Sequence, residues 1–241
     1  MLGLPAGVTA CLFDMDGVVT QTATLHAAAW KEMFDEFLSQ RGLPPFTQDD
    51  YDEYVDGKPR LDGTRSFLES RGIGLPEGAP EDAPGSPTIW GLSSRKNDLV
   101  LERIARGGVE VYSGTVGYIR SAKKDLNVRT AIVSSSANTK QVLDGIGLSD
   151  LFDVRIDGIV ASERGLAGKP APDTYLAAAA DLGVSPAQAA VYEDALAGVA
   201  AGRAGKFALV VGVDRVGQAD ALRAHGADIV VRDLAELTDK P

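Results

Sequence analysis

The sequence has very few of the residues that form covalent cross-links or bind transition metals. Among its 241 residues there is one cysteine, Cys11, and there are two histidines, His26 and His225. A lone cysteine excludes a disulfide within the chain and a zinc site built from several thiolates. It is also consistent with a reducing compartment. We assign Cys11 to the structure of the protein and expect any metal site to consist of oxygen ligands.

Long apolar runs and an excess of basic residues are also missing. No stretch approaches the roughly 18 consecutive apolar residues of a membrane span, and the opening MLGLPAGVTA has no basic residue ahead of its apolar part, unlike a secretory signal. The 24 basic and 34 acidic residues leave a formal charge of -10, whereas a protein that binds nucleic acid normally gathers a basic face. We therefore expect a cytoplasmic protein with no membrane and no nucleic-acid partner.

What the chain does have is enough material for a large core. Hydrophobic residues make up 44% and charged residues 24% of the sequence, both close to globular averages. At roughly 150 residues per domain, the length corresponds to one large domain or two modest ones. A chain of this size buries a substantial core without disulfides.

The first part of the chain combines one strand with several helices. The apolar run 8–13 ends abruptly in acidic residues and glycine, which is typical of a buried strand followed by a loop. Apolar residues then recur at helical spacing, and glycine and proline make up nine of the twenty residues of 72–91, which indicates a surface loop. The predicted helices are 24–40, 48–55, 61–70 and 96–106.

From residue 109 onward, strand-like and helix-like segments alternate. The predicted strands are 129–133, 154–160, 189–192, 207–213 and 228–231, and the predicted helices between them are 139–145, 173–182, 195–204 and 219–225. Such alternation is typical of βαβ units, so we predict an α/β fold with a doubly wound parallel sheet. The opening strand has no companion before residue 129. The predicted domains are therefore a core of 1–20 and 109–241, interrupted by a helical insertion of 21–108.

Polar residues follow four of the predicted strands. These groups are Asp14 with Asp16, the serines 134–136, Gly168-Lys169-Pro170, and Glu193 with Asp194. Ligands bind open parallel sheets at the carboxyl ends of the strands, so we expect these groups to converge. Several carboxylates at one place repel each other unless a cation compensates, and oxygen ligands without clustered histidines favour Mg²⁺. A lysine and a hydroxyl beside the metal would suit a phosphoryl group.

Taken together, these motifs resemble those of the haloacid dehalogenase superfamily. The four are FDMDGVVT (13–20), the serine after the second strand, GKPAPD (168–173) and YEDA (192–195). The helical insertion resembles the α-helical cap of that superfamily, which implies a Rossmann-like core carrying a cap. Within the insertion, TATLHAAAWK (22–31), GKPR (57–60) and SRKND (94–98) are similar to the β-phosphoglucomutase-like subfamily.

The resemblance implies a role for each core residue. Asp14 would be the nucleophile that forms an aspartyl phosphate, and Asp16 would be the general acid and base. One Mg²⁺ per chain would be held by Asp14, the main-chain carbonyl of Asp16, and Asp194, with Glu193 assisting. The phosphoryl oxygens would be bound by Lys169 and Ser134. Ser135 remains the alternative to Ser134, since serines are common in turns.

The resemblance also implies a substrate site. Its predicted members are His26, Trp30, Gly57, Arg60, Lys96, Ser135, Ser136 and Asn138. Of these, Arg60, Ser136 and Asn138 would bind the phosphate that is not being transferred, whereas His26 and Lys96 would hold the sugar and help the cap close. His26 also lies at helical spacing from Trp30, so a core histidine is the alternative, and exposed cations are ordinary on cap helices. Gln21 and Ala137 depart from the subfamily pattern, where an aspartate and a lysine are expected.

The implied activity is that of an isomerase that becomes phosphorylated during turnover. It would interconvert β-D-glucose 1-phosphate and glucose 6-phosphate through glucose 1,6-bisphosphate, which would also be the activator. The alternative is a Mg²⁺-dependent phosphatase that hydrolyses a small sugar phosphate. A non-enzymatic phospho-receiver module would need neither this length nor a cap. We expect a monomer whose partner is a small-molecule sugar phosphate.

Overall fold

The computed structural model describes residues 2–238, and a six-stranded parallel sheet forms its centre. The strands are Ala10–Phe13 (β1), Arg129–Val133 (β2), Val154–Ile156 (β3), Ala189–Glu193 (β4), Leu209–Val213 (β5) and Ile229–Val231 (β6). Their order is β3-β2-β1-β4-β5-β6, and each neighbouring pair is parallel. This arrangement confirms the predicted doubly wound α/β fold.

The central strands are apolar because both of their faces are covered. All residues of β1, β4 and β5 are buried, as expected for a parallel sheet with helices on both sides. Ala10 and Leu12 point into a cluster that includes Tyr175 and Val199 from two of these helices. The alternate residue Phe13 instead packs its ring against other aromatic rings of the sheet's second face.

The strand order reverses between β1 and β4. The chain builds outward from β1 to β2 and β3, then returns to place β4 on the other side of β1. Phe13 in β1 is paired in register with Tyr192 in β4, so the two strands end side by side. Open α/β sheets bind ligands at such a reversal, just beyond the carboxyl ends of the strands.

Six helices accompany the sheet in the described part of the core unit, which comprises the residues up to Gln21 together with those from Glu110 onward. They are Ser113–Leu126 (α5), Thr139–Gly145 (α6), Gly158–Glu163 (α7), Asp173–Asp181 (α8), Leu196–Ala204 (α9) and Ala219–Ala224 (α10), joined by the short 3₁₀ helices Ser149–Leu151, Pro186–Gln188 and Leu234–Leu237. The sequence analysis did not predict α5. Two glycines and a run of polar residues weaken its local signal, and burial of Val116, Ile119 and Ala122 stabilises it.

One predicted strand was too long. The segment 154–160 forms a strand only to Ile156, because Asp157 is the N-cap of the helix α7 that follows. The Asp157 side chain accepts hydrogen bonds from the backbone N–H groups of Ile159 and Val160 at 3.1 and 3.0 Å. This N-cap outweighs the β-propensity of the isoleucine and valine that follow.

A second compact unit, Thr22–Val109, is helical and is called the cap unit below. Its helices are Ala23–Ser39 (α1), Gln48–Asp50 (α2), which continues as the π-helical turn Tyr51–Val55, Arg60–Ser70 (α3) and Ile89–Gly107 (α4). The predicted loop 72–91 ends earlier than expected, since α4 begins at Ile89 and Thr88 caps it by accepting a hydrogen bond from the Gly91 N–H at 2.9 Å. No helix within residues 2–238 combines the length and apolar character needed to span a bilayer.

The cap unit has an aromatic core of its own. The rings of Phe34, Phe46 and Phe67 lie 4.2 to 5.1 Å apart between centroids, and Phe34 also stacks on Trp30. Each of the three phenylalanines is almost completely buried. Aromatic side chains bury a large apolar area, so this cluster stabilises the unit independently of the sheet.

We predict that Phe67→Ala selectively destabilises the cap unit, by about 3–5 kcal/mol in the free energy of unfolding. Both tryptophans of the chain, Trp30 and Trp90, lie in this unit, so tryptophan fluorescence during urea denaturation reports its unfolding. The matched control is Leu43→Ala at a site that is 40% exposed, where the change should stay within about 0.5 kcal/mol. Equal midpoints for the two variants would contradict the assignment.

Candidate active site

The loop after β1 is shaped by the strand next to it. The backbone N–H of Asp14 donates to the carbonyl of Tyr192 at 2.9 Å, which extends the pairing of β1 with β4 beyond the last residue of β1. Three residues later, Gly17 adopts a φ of +88°, and a Cβ at this position would overlap the carboxylate of Asp194. Glycine is required there for both reasons. The loop therefore holds Asp14 beside the acidic end of β4.

Lys169 occupies the centre of the site. Its Nζ lies 2.5 Å from both Asp14 Oδ1 and Glu193 Oε1, and it donates a third hydrogen bond to the carbonyl of Val133 at 3.1 Å. The lysine is 2% exposed. Burial alone would favour the neutral amine, but the two carboxylates raise the pKa of Lys169 above its usual range. The side chain is therefore a fixed positive charge.

Glu193 is held on all sides by protein groups. Its Oε1 accepts a hydrogen bond from the Tyr175 hydroxyl at 2.9 Å, and its Oε2 accepts one from the Ala195 N–H at 3.2 Å. A Cβ on Gly198 in α9 would overlap this carboxylate. Burial and the nearby carboxylates of Glu193 and Asp14 raise the pKa of Tyr175, so its hydroxyl stays protonated.

Three of the carboxylates can hold a divalent cation. Asp14, Glu193 and Asp194 each offer an oxygen, and these oxygens all lie within 4.8 Å of one another. Burial raises the pKa of Asp14 despite the opposing effect of Lys169, and the charges of Glu193 and Asp16 raise it further. The ammonium of Lys169 alone does not balance so many acidic groups. The set of hard, charged oxygens fits Mg²⁺, as the sequence suggested.

Ser134 has its hydroxyl beside the acidic loop. Ser134 is 3% exposed and donates to Asp16 Oδ2 at 3.4 Å, while its oxygen accepts from the Ser136 N–H at 3.1 Å. The Ser136 hydroxyl in turn accepts from the Asn138 N–H at 3.2 Å. The core residues that the sequence analysis placed at the ends of the strands thus lie around one buried site.

The cap unit holds a second cluster of predicted residues. Lys96 Nζ is 2.9 Å from His26 Nδ1 and 4.8 Å from the centroid of the Trp30 ring. Lys96 is only 5% exposed, so it is not an ordinary surface cation. His26 is half-buried and is paired with this lysine. The polar pair and the ring form one small cluster.

Arg60 is the first residue of α3, and Gly57 lies in the turn before it. Gly57 takes a φ of +72° in the turn that leads into the helix, where a side chain would be strained. The Nε of Arg60 is buried and has no hydrogen-bond partner among the described residues. Burial lowers the pKa of Arg60, opposed by the charge of Asp98. A buried donor without a partner is uncommon and indicates a place for an anionic ligand.

Several residues of the site escaped the sequence analysis. Tyr175 lies on α8, just after the lysine motif. Gly198 lies in the alanine-rich helix α9, where alanine would be the better helix former. A glycine at such a position is a sequence signal of close packing that could have been used. Arg215 also supports the loop after β1, because its Nε donates to the carbonyl of Gly17 at 2.7 Å and its guanidinium lies over the Tyr112 ring. No local pattern marked Arg215 or Tyr175.

Comparison with known proteins gives consistent results. A model of the haloacid dehalogenase-like hydrolase family matches residues 8–206. The chain is 51% identical to a β-phosphoglucomutase of Mycobacterium bovis over 98% of this chain and 94% of that protein. It is 30% identical to the validoxylamine A 7'-phosphate phosphatase of Streptomyces hygroscopicus, with 94% of each chain covered. Among solved structures, a β-phosphoglucomutase from Clostridium difficile superposes with a TM-score of 0.74 at 24% identity, over 95% of this chain and 93% of that one.

The packing of α9 against Glu193 leads to a stability prediction with an unusual sign. Replacing a helical glycine by alanine normally stabilises a protein, by up to about 1 kcal/mol. We expect Gly198→Ala instead to lower the free energy of unfolding by about 1–3 kcal/mol, because the new Cβ collides with the buried carboxylate.

The matched control is Gly117→Ala in α5, where nothing lies within 4 Å of an added Cβ and the usual stabilisation should appear. Urea denaturation followed by circular dichroism at 222 nm measures both variants. A stabilised Gly198→Ala protein would show that Glu193 is not held in this way.

Proposed function

The chain belongs to the haloacid dehalogenase-like hydrolases, and we propose that within this family of enzymes it acts as a phosphosugar mutase. Its reaction would interconvert β-glucose 1-phosphate and glucose 6-phosphate through an aspartyl phosphate and glucose 1,6-bisphosphate. The observation that carries the phosphoryl-transfer chemistry is the buried Lys169, which joins Asp14 to Glu193. The mutase assignment is supported by the 51% identity to the mycobacterial β-phosphoglucomutase.

In this mechanism Asp14 is the nucleophile. Lys169 holds the carboxylate through its Oδ1, which limits the rotation of Asp14 before the substrate arrives. Asp14, Asp194 and the main-chain carbonyl of Asp16 would hold Mg²⁺, with Glu193 nearby. The charge of the ion would reduce the repulsion between the Asp14 carboxylate and the anionic phosphoryl group. As the Asp14 oxygen bonds to phosphorus, the bond from phosphorus to the sugar oxygen breaks. Lys169 and Ser134 stabilise the charge on the phosphoryl oxygens.

Asp16 would carry the proton in both halves of the reaction. Its position near the Ser134 hydroxyl keeps it at the same buried site as Asp14, while it remains partly exposed to an incoming ligand. In the first half it donates a proton to the departing sugar oxygen. In the second half it takes the proton from the hydroxyl that attacks the aspartyl phosphate. The proton returned to Asp16 prepares it for the next cycle.

The cap unit would decide which acceptor is used. Lys96 is a buried cation, and Arg60 is a half-buried one whose Nε is buried and has no hydrogen-bond partner within residues 2–238. A bisphosphorylated sugar carries a second phosphate that such a guanidinium binds well. Within the cap unit, we therefore assign the non-transferred phosphate to Arg60 and the sugar to His26, Trp30, Gly57 and Lys96.

A phosphatase is the second candidate function, since the phosphatase from S. hygroscopicus is similar to this chain over nearly its whole length. A phosphatase and a mutase share the steps up to the aspartyl phosphate and differ in whether water or a sugar hydroxyl accepts the phosphoryl group. The products of the reaction therefore distinguish the two.

We predict that β-glucose 1-phosphate, supplied with Mg²⁺ and a trace of glucose 1,6-bisphosphate, yields glucose 6-phosphate with little inorganic phosphate. Both products are measured in the same reaction by a coupled dehydrogenase assay and a phosphate assay. Inorganic phosphate as the main product would instead support the phosphatase.

The two aspartates of the loop after β1 give a second prediction. Asp14→Asn should abolish turnover, and Asp16→Asn should lower it about 10²–10⁴-fold.

The role of Arg60 gives a separate prediction. Arg60→Ala should lower kcat/KM for glucose 1-phosphate about 10–100-fold, because a charged hydrogen bond to the non-transferred phosphate, here the phosphate of the substrate itself, is lost. Hydrolysis of acetyl phosphate, a small donor with one phosphoryl group, should stay unchanged. Arg106→Ala, at a cap arginine whose side chain is 79% exposed, is the matched control and should affect neither reaction. Equal losses with both substrates would assign Arg60 to the stability of the fold.

A further inference from the structure

The ammonium of Lys169 has no hydrogen left for a ligand. A lysine side chain carries three N–H bonds, and here they point to Asp14 Oδ1, Glu193 Oε1 and the carbonyl of Val133. Lys169 can bind a phosphoryl oxygen only by turning at least one of these bonds away from the protein. Phosphoryl binding at this lysine is therefore an exchange of partners.

The exchange is costly at Glu193. Its side chain is completely buried. A buried carboxylate that loses a charged donor is left with an unsatisfied hydrogen-bond acceptor, which destabilises the protein. Asp14 differs, because its carboxylate becomes an uncharged acyl group once phosphorus is bonded to it. Glu193 forms no bond to phosphorus. It needs a donor that remains in place when Lys169 turns to the phosphoryl group.

Tyr175 is in position to supply that donor. Its hydroxyl donates to Glu193 Oε1 at 2.9 Å, and this is the same oxygen that Lys169 contacts. Lys169 Nζ also lies over the Tyr175 ring, 5.1 Å from the ring centroid, which is a cation–π distance. One side chain thus contacts both members of the ion pair.

The position of Tyr175 is fixed by its surroundings. The residue is 0% exposed, and its ring packs edge-on against Phe207 with centroids 6.0 Å apart. It lies in the first turn of α8, a helix that begins four residues after Lys169. The hydroxyl therefore does not depend on the position of the ammonium.

We infer that Tyr175 is a positioning residue for phosphoryl transfer: its hydroxyl keeps Glu193 Oε1 hydrogen-bonded while Lys169 turns an N–H bond to the phosphoryl group. The inference rests on the proposed function, in that Lys169 must bind a phosphoryl group, but it holds for a mutase and for a phosphatase. It predicts a selective effect. The Tyr175 hydroxyl should matter more when a phosphoryl group is present than when the site contains only the metal.

The test is Tyr175→Phe, which removes one buried oxygen and keeps the ring. Tyr192→Phe is the matched control, because Tyr192 is also completely buried and its hydroxyl bonds to Tyr118 at 2.6 Å, away from Glu193. Isothermal titration calorimetry measures the binding of Mg²⁺ alone. ¹⁹F NMR then measures the binding of beryllofluoride, a tetrahedral phosphoryl mimic that bonds to a carboxylate, in saturating Mg²⁺.

We expect Tyr175→Phe to weaken beryllofluoride binding about tenfold, the value of a hydrogen bond to a charged group, and to change Mg²⁺ binding less than twofold. Tyr192→Phe should change both less than twofold. Unchanged beryllofluoride binding in Tyr175→Phe would overturn the inference, and so would equal weakening of both ligands, which would indicate a purely structural role.

Failure of the proposed function is seen separately. A wild-type protein that binds beryllofluoride tightly but forms no glucose 6-phosphate would refute the mutase assignment, whereas the contrast between the tyrosine variants would still support the role of Tyr175. A wild-type protein that binds no beryllofluoride would overturn the inference itself, because Lys169 would then have no phosphoryl partner at Asp14.

Discussion

The buried ion network around Lys169 is the constraint on which the rest of the site depends. Ions removed from water are tolerated only when oppositely charged groups and hydrogen-bond donors surround them. Lys169 meets this condition with two carboxylates and one carbonyl. The carboxylate of Glu193 meets it with the lysine, a tyrosine hydroxyl and a backbone N–H. Each of these two groups therefore has its hydrogen-bond partners in place within the protein.

That network also explains two glycines that would otherwise look unfavourable. Gly17 allows the loop after β1 to pass against Asp194, and Gly198 allows α9 to pack against Glu193. In each case the space of a methyl group is occupied by a carboxylate. At Gly198 the better helix former alanine is absent because the helix backbone packs directly against the carboxylate of Glu193. A tightly preorganised charge distribution is the main source of electrostatic catalysis in enzymes of this kind.

The two units of the chain have different tasks in the proposed mechanism. The core unit contains the groups that form and break the bond to phosphorus, held at the reversal of the strand order. The cap unit contains the cations that would bind sugar and phosphate, and it has an aromatic core of its own. Proteins similar to this chain over nearly their whole length include both a β-phosphoglucomutase and a phosphatase. Recognition of the acceptor can therefore diverge while the transfer chemistry is kept.

The sequence by itself determined the parallel α/β fold and the group of polar residues at the strand ends, because apolar periodicity and motif order are local properties of the chain. It did not predict α5, whose glycines and polar residues hide a helix that forms only by packing, and it extended β3 through the N-cap at Asp157. The tertiary structure alone decided that Tyr175 shares an oxygen of Glu193 with Lys169, and that Lys96 is buried against His26 and Trp30. These contacts join residues that are far apart in the chain, and no spacing rule can encode a distance that arises only when the helices pack.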